Sequence, residues 1–201
     1  MAPRAQCECW RWLVVGLGNA MASDDAVGLD IVRTAPRPAL NCNYVELPLA
    51  GARLFDLLDR PGPVLFLDAV VSAAPEGTIH LLNLPSECVH PRSFTAFSTH
   101  AWNLGEVLSL RNALGLTSPR IVLLGIEISD ATPGVRSSEV LRKTAAEVAE
   151  ALPEVLQFLD AREAELSGLP HCFPDATALR RFFALESASR ASPPVLVGRA
   201  R

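Results

Sequence analysis

At 201 residues the chain is long enough for one domain with a substantial core. Hydrophobic residues make up 49% and charged residues 20%, the balance of a soluble globular protein and not of a disordered one. A formal charge of −4 argues against any general affinity for nucleic acid or anionic membrane, and the longest apolar runs, such as Ile121–Gly125, fall far short of a bilayer span.

The segment Ala5-Gln-Cys-Glu-Cys-Trp-Arg11 lacks the apolar core of a secretory signal, so a cytoplasmic protein is expected. Cys7, Cys9, Cys42, Cys88 and Cys172 follow no regular spacing and are expected as thiols. Cys7-Glu-Cys9 is the only close pair, and it lacks the second pair that a zinc site needs.

Leu13-Val-Val15 opens the ordered part as a short apolar run, the pattern of a strand buried on both faces. Gly16 and Gly18 permit a sharp turn after it, and Asn19 can hydrogen-bond its own turn. Ser23, Asp24 and Asp25 stand where a helix should begin, with Val27, Ile31 and Val32 on its inner side. Carboxylates there cap free N–H groups and favour the positive end of the helix dipole. One aspartate is enough for a cap. The other is left beside the C-terminal end of a strand, where open α/β sheets keep their sites. Two other readings compete: a strand-turn-helix with no chemistry, and a dinucleotide fingerprint, whose third glycine is missing because Met21 follows Gly16-x-Gly18.

Pro36 and Pro38 break the first helix, and Tyr44-Val-Glu-Leu47 reads as a second strand. Gly51 to Leu58 suits a brief helix ended by Pro61 and Pro63. Val64 to Ala69 is the clearest buried strand, and it carries an acid, Asp68, near its end. Gly77 to Leu82 reads as a strand joined by a connection short enough for antiparallel pairing, with His80 expected on its exposed face. Pro85 to Phe97 is loop-like, and Ser98 or Thr99 can cap a helix over Ala101–Leu114, placing His100 in its first turn. Ile121 to Ile128 is the last long buried strand. Ser137 or Ser138 can cap a long helix to Leu159, which Pro153 should bend or split.

From Ala161 the character changes, with six arginines against four acids and several Pro and Gly positions. A poorly ordered tail is expected there, with a short amphipathic helix over Leu179–Leu185 and a partner-docking segment as the alternative. The alternation of elements predicts a three-layer α/β/α sandwich with a mostly parallel central sheet of about five strands and one antiparallel strand. It should occupy residues 11–160, followed by an extension over 161–201. Asp25, Asp68 and His100 each sit where a strand ends or a helix begins, so the sheet could bring them to one edge. Two carboxylates and an imidazole suit a borderline divalent ion such as Ni²⁺ or Zn²⁺.

Four blocks in order resemble the hydrogenase maturation endopeptidases, which trim the C-terminus of the nickel-iron hydrogenase large subunit. They are Gly16-Leu-Gly-Asn19 with Asp24-Asp25; Leu67-Asp-Ala-Val70 with Pro75-Glu-Gly-Thr78; Ser98-Thr-His100; and Pro119 to Glu127, with Gly125-Ile-Glu127. The resemblance runs from about Arg11 to Leu159. It implies Asp25, Asp68 and His100 as the catalytic, metal-contacting residues, and Asn19, Asp24, Glu46 and Gly51 as substrate-binding ones. It implies nickel supplied by the substrate, no organic cofactor, a large-subunit precursor as partner, and a monomeric enzyme.

Two segments depart from the family pattern. The usual Asp-Gly-Gly-Thr-x-Gly appears as Glu46-Leu-Pro-Leu-Ala-Gly51, and Asp130-Ala-Thr-Pro-Gly134 replaces a tryptophan-containing stretch. The altered Glu46–Gly51 loop keeps a non-catalytic nickel-binding assembly factor as the alternative, and a small hydrolase with its own zinc is a third reading. Lewis-acid polarisation and general-base activation of water by Asp24 or Asp25 are both open. No Ser or Cys has a base partner visible in the sequence, so a covalent mechanism is not expected.

Overall fold

A computed structural model describes residues 11–37, 41–48, 51–84, 104–134, 137–161 and 171–191, with side chains in the last segment as far as Glu186. Three apolar runs form strands buried along their whole length: β1 (Trp12–Gly18), β3 (Val64–Val70) and β5 (Ile121–Glu127). Strands covered on both faces need no alternation of polar and apolar residues, which is why these segments read as continuous hydrophobic runs. With β2 (Cys42–Pro48), β4 (Ile79–Leu84) and β6 (His171–Phe173) they make one sheet in the order β2-β1-β3-β5-β4-β6. β4 alone runs against the rest, antiparallel to both β5 and β6.

Helices cover both faces. On one, α1 (Val27–Thr34) and α4 (Glu139–Ala161) bury Ile31, Val148, Leu152 and Val155 against Val14, Leu65 and Leu124. On the other, α2 (Gly51–Leu57) and α3 (Leu104–Ala113) bury Leu54, Val107 and Leu108 against Val15, Phe66 and Leu123. The expected three layers and single antiparallel strand are present. Among the described residues no helix is long and apolar enough to cross a membrane.

α4 begins at a true cap, with the Ser138 hydroxyl accepting the N–H of Leu141 at 3.0 Å. Pro153 lies inside it without dividing it into two elements. Leu152, Val155, Leu156 and Leu159 are all buried around that position, and their packing outweighs the roughly 3 kcal/mol that an interior proline costs.

The sixth strand was not expected. Its three residues are too few to show a period, and they lie in what reads as a tail. β6 pairs with β4, and α5 (Ala176–Ala191) packs on α4. The physical reason is aromatic. Phe183 meets Phe158 of α4 with ring centroids 4.4 Å apart, and Phe182 stacks near His171 at 4.8 Å and Phe173 at 5.3 Å. A poorly ordered tail is therefore the wrong description of residues 171–186. Phe183→Ala should cost about 3 kcal/mol, lowering the melting temperature by roughly 6–12 °C in a thermal-unfolding scan.

Candidate functional site

The first turn of α1 rests directly on two strands. A Cβ at Gly28 would fall 2.2 Å from the carbonyl oxygen of Leu67 and 2.4 Å from that of Leu17. Only a residue without a side chain fits, and this contact sets the preceding turn, Ser23–Ala26, against the C-terminal ends of β1 and β3. That turn is 3₁₀ in form. Ser23 within it has φ 30°, a left-handed value unusual for a non-glycine residue and one that persists only where its surroundings enforce it.

Asn19 closes the loop after β1. Its side-chain oxygen accepts the N–H of Met21 at 3.0 Å, the local turn expected of it, and its own N–H donates to Asp25 Oδ2 at 3.1 Å. Asp24 does not cap the helix that follows it, and α1 has no side-chain cap. Asp24 Oδ1 instead accepts from the N–H of Ser138 at 2.8 Å and the hydroxyl of Ser137 at 3.0 Å. The free donors it satisfies are those at the start of α4, more than a hundred residues away in sequence. Asp24→Asn keeps an acceptor and should change stability little, whereas Asp24→Ala should cost about 1 kcal/mol by denaturant unfolding.

Asp68 is 3% exposed and accepts the N–H of Ala69 at 2.9 Å. Burial first, and the charge of Asp25 second, push its carboxyl well above the ordinary carboxylate range; the Ala69 N–H opposes them. The structure therefore brings Asp25 and Asp68 into electrostatic contact. His100 lies outside the described residues. α3, which starts at Leu104, packs against the Phe66 face of the sheet, and Asp68 shares that face by the two-residue period of a strand.

Glu46 lies on β2, the edge strand beyond β1. Glu46 is in register with Gly16 and turns to the α1 face, where it pairs with Arg33 Nε at 2.9 Å. Gly51 opens α2 with φ 46° and open space where a Cβ would sit. The Asp130–Gly134 segment does reach the loop after β1, through an isolated bridge between Ala22 and Pro133 and a bond from the Gly134 N–H to the Met21 carbonyl. Among the described residues no group of three or more His, Cys, Asp or Glu side chains is placed to hold a metal ion.

One constellation escaped the sequence reading. His80, expected at an exposed face, is 5% exposed, because β6 covers that edge of β4. Its Nε2 lies 3.0 Å from Glu127 Oε2 and its Nδ1 lies 3.2 Å from Cys172 Sγ. Glu127 carried a signal of its own, an acid closing an apolar run just as Asp68 does, but neither partner is near it in sequence.

The chain is 30% identical over 166 residues to hydrogenase 2 maturation protease of Escherichia coli (strain K12), a match covering 80% of this chain and 96% of that protein. It belongs to the hydrogenase maturation proteases. The chain also superposes on the hydrogenase maturating endopeptidase HybD from E. coli, with TM-score 0.59, 25% identity, and 80% and 98% of the two chains covered. Against the NiFe hydrogenase maturation protease HycI from Thermococcus kodakarensis KOD1 the TM-score is 0.56 at 22% identity, over 74% and 93% of the chains, a likeness of fold. No family model matches the sequence.

Proposed function

We propose that this protein is a cytoplasmic, monomeric endopeptidase that removes a C-terminal extension from a nickel-iron hydrogenase large-subunit precursor, and that Asp25, Asp68 and His100 meet the nickel carried by that substrate. The observation that supports the nickel reading most is the Asp25–Asp68 pair. Burial, and then the charge of Asp25, raise the cost of ionising Asp68. A divalent cation arriving with the substrate relieves it, because Asp68 can then ionise against a positive charge.

Two carboxylates and an imidazole leave coordination positions for the precursor's own ligands, so the pair can sense whether the metal has been inserted. Hydrolysis itself adds water across the scissile amide. Polarisation of the carbonyl by the metal and proton removal from water by a carboxylate are the two routes this donor set offers. Glu46, turned to Arg33, and Gly51 are assigned to substrate contact by resemblance alone, as are Asn19 and Asp24.

The test uses purified enzyme and precursor, with and without nickel, and mass spectrometry of the precursor C-terminus. Loss of the extension from the nickel-loaded form alone is the expected result. Equal trimming of the nickel-free form overturns the role of the metal. No trimming of either form favours the alternative of a non-catalytic, nickel-binding assembly factor.

A further inference from the structure

A second polar cluster lies two strands away from Asp68, and the proposed cleavage makes no use of it. Asp68, Gly125 and His80 are register partners across β3, β5 and β4, and His80 pairs in turn with Cys172 on β6. Register partners share a face, so Asp68, His80 and Cys172 stand in one row, separated at Gly125 by a residue with no side chain. At the usual strand spacing Cys172 is about 14 Å from Asp68, too far to join that site.

The cluster is ordered from its buried end outward. Glu127, 2% exposed, accepts the N–H of Ser72 at 2.6 Å and the hydroxyl of Ser72 at 2.7 Å. Its Oε2 also faces His80 Nε2 at 3.0 Å, where it can accept the Nε2–H of a neutral imidazole. In that tautomer Nδ1 is the acceptor, and it lies 3.2 Å from the sulfur of Cys172. Cys172 is a free thiol on the exposed side of a three-residue strand. An accessible sulfur, a base in reach, and an acid that orients the base make up the arrangement that activates a nucleophile.

We infer that Cys172 is a thiol–disulfide exchange site for low-molecular-weight disulfides of the glutathione class, with His80 as its base and Glu127 positioning His80. Acyl transfer would require donors aimed at a developing oxyanion, and the Ser72 N–H beside the cluster is already taken by Glu127. Disulfide exchange asks only for access to the sulfur. Sγ attacks one sulfur of the disulfide, and the new S–S bond forms as the old one breaks. The departing sulfur leaves with the electron pair and takes the proton that Cys172 passed to His80. One thiol and one disulfide become a mixed disulfide and one free thiol.

The full chain, treated with oxidised glutathione and quenched with acid, should be digested and each cysteine peptide read by mass spectrometry. Cys172 in the folded protein should react about 10-fold faster than the same residue in the urea-unfolded chain, and His80→Gln should bring the folded rate down to the unfolded one. The inference is overturned if folded Cys172 reacts no faster than unfolded Cys172, or if a folded His80→Gln variant reacts as fast as the parent. The first comparison needs no variant, so it decides the matter even where His80→Gln does not fold.

Discussion

Asn in place of Asp68 is expected to abolish precursor trimming while raising the melting temperature at neutral pH. The two effects have one origin. Asp68 is buried beside Asp25, and its folded carboxyl titrates well above the value it has in the unfolded chain. Between those two values the folded state holds a proton that the unfolded state has already released, so stability falls as pH rises through that window. The protein therefore carries an electrostatic penalty at neutral pH that vanishes in acid, below the unfolded value. Asn has the same shape and no charge, so Asp68→Asn should melt higher than the parent near pH 7, with the advantage lost near pH 4. Trimming should drop at least about 100-fold, the scale of a lost acid–base or charge-stabilising group. Melting curves at the two pH values and a C-terminal mass assay check both halves. A variant that trims normally would remove Asp68 from the site, and one that melts lower at neutral pH would contradict the penalty.

Gly28→Ala should damage the fold and the site together. The added methyl would meet two backbone carbonyl oxygens, of Leu67 and Leu17, and neither can swing aside as a side chain would. Gly16 repeats the contact from the strand side, since its Cβ would fall 2.3 Å from the Gly28 carbonyl oxygen. α1 must lift off the sheet, at a cost of about 3 kcal/mol or more. For a domain of this size the melting temperature should fall by roughly 6–12 °C. Asp25 belongs to the turn that leads into this helix, so lifting α1 also carries it away from Asp68. A variant melting within about 2 °C of the parent, with trimming intact, would show that the close approach is not what holds the pair together.

The readable parts of the chain were those whose cause is local. Leu13–Val15, Val64–Ala69 and Ile121–Ile126 announce buried strands because both of their faces are covered. The short connection after β3 suggested an antiparallel β4, which it is, although the strand it pairs with is β5, lying between the two. Asp68 stood out as an acid inside an apolar run. The unreadable parts depend on partners distant in sequence. Asp24 looks like a cap for the helix beside it, and only the fold shows that Ser137 and Ser138 claim it. His80 has the alternation of an exposed strand residue, and its burial comes from a strand about ninety residues later. Residues 171–186 have the composition of a tail, and their order rests on Phe158, a residue of another element.

β6 also alters what the sheet offers to other molecules. Without it, β4 would end the sheet on that side, with the outward N–H and C=O groups of a six-residue strand, Ile79–Leu84, open to pairing. A row of that kind is a template on which a second chain can lay down a strand of its own. With β6 in place the outermost strand is only three residues long, and Pro174 follows it at once. A strand so short, stopped by a residue with no N–H to give, is a poor seed for intermolecular sheet growth. The extension thus blunts this one edge of the sheet along Ile79–Leu81, the half of β4 that it pairs with.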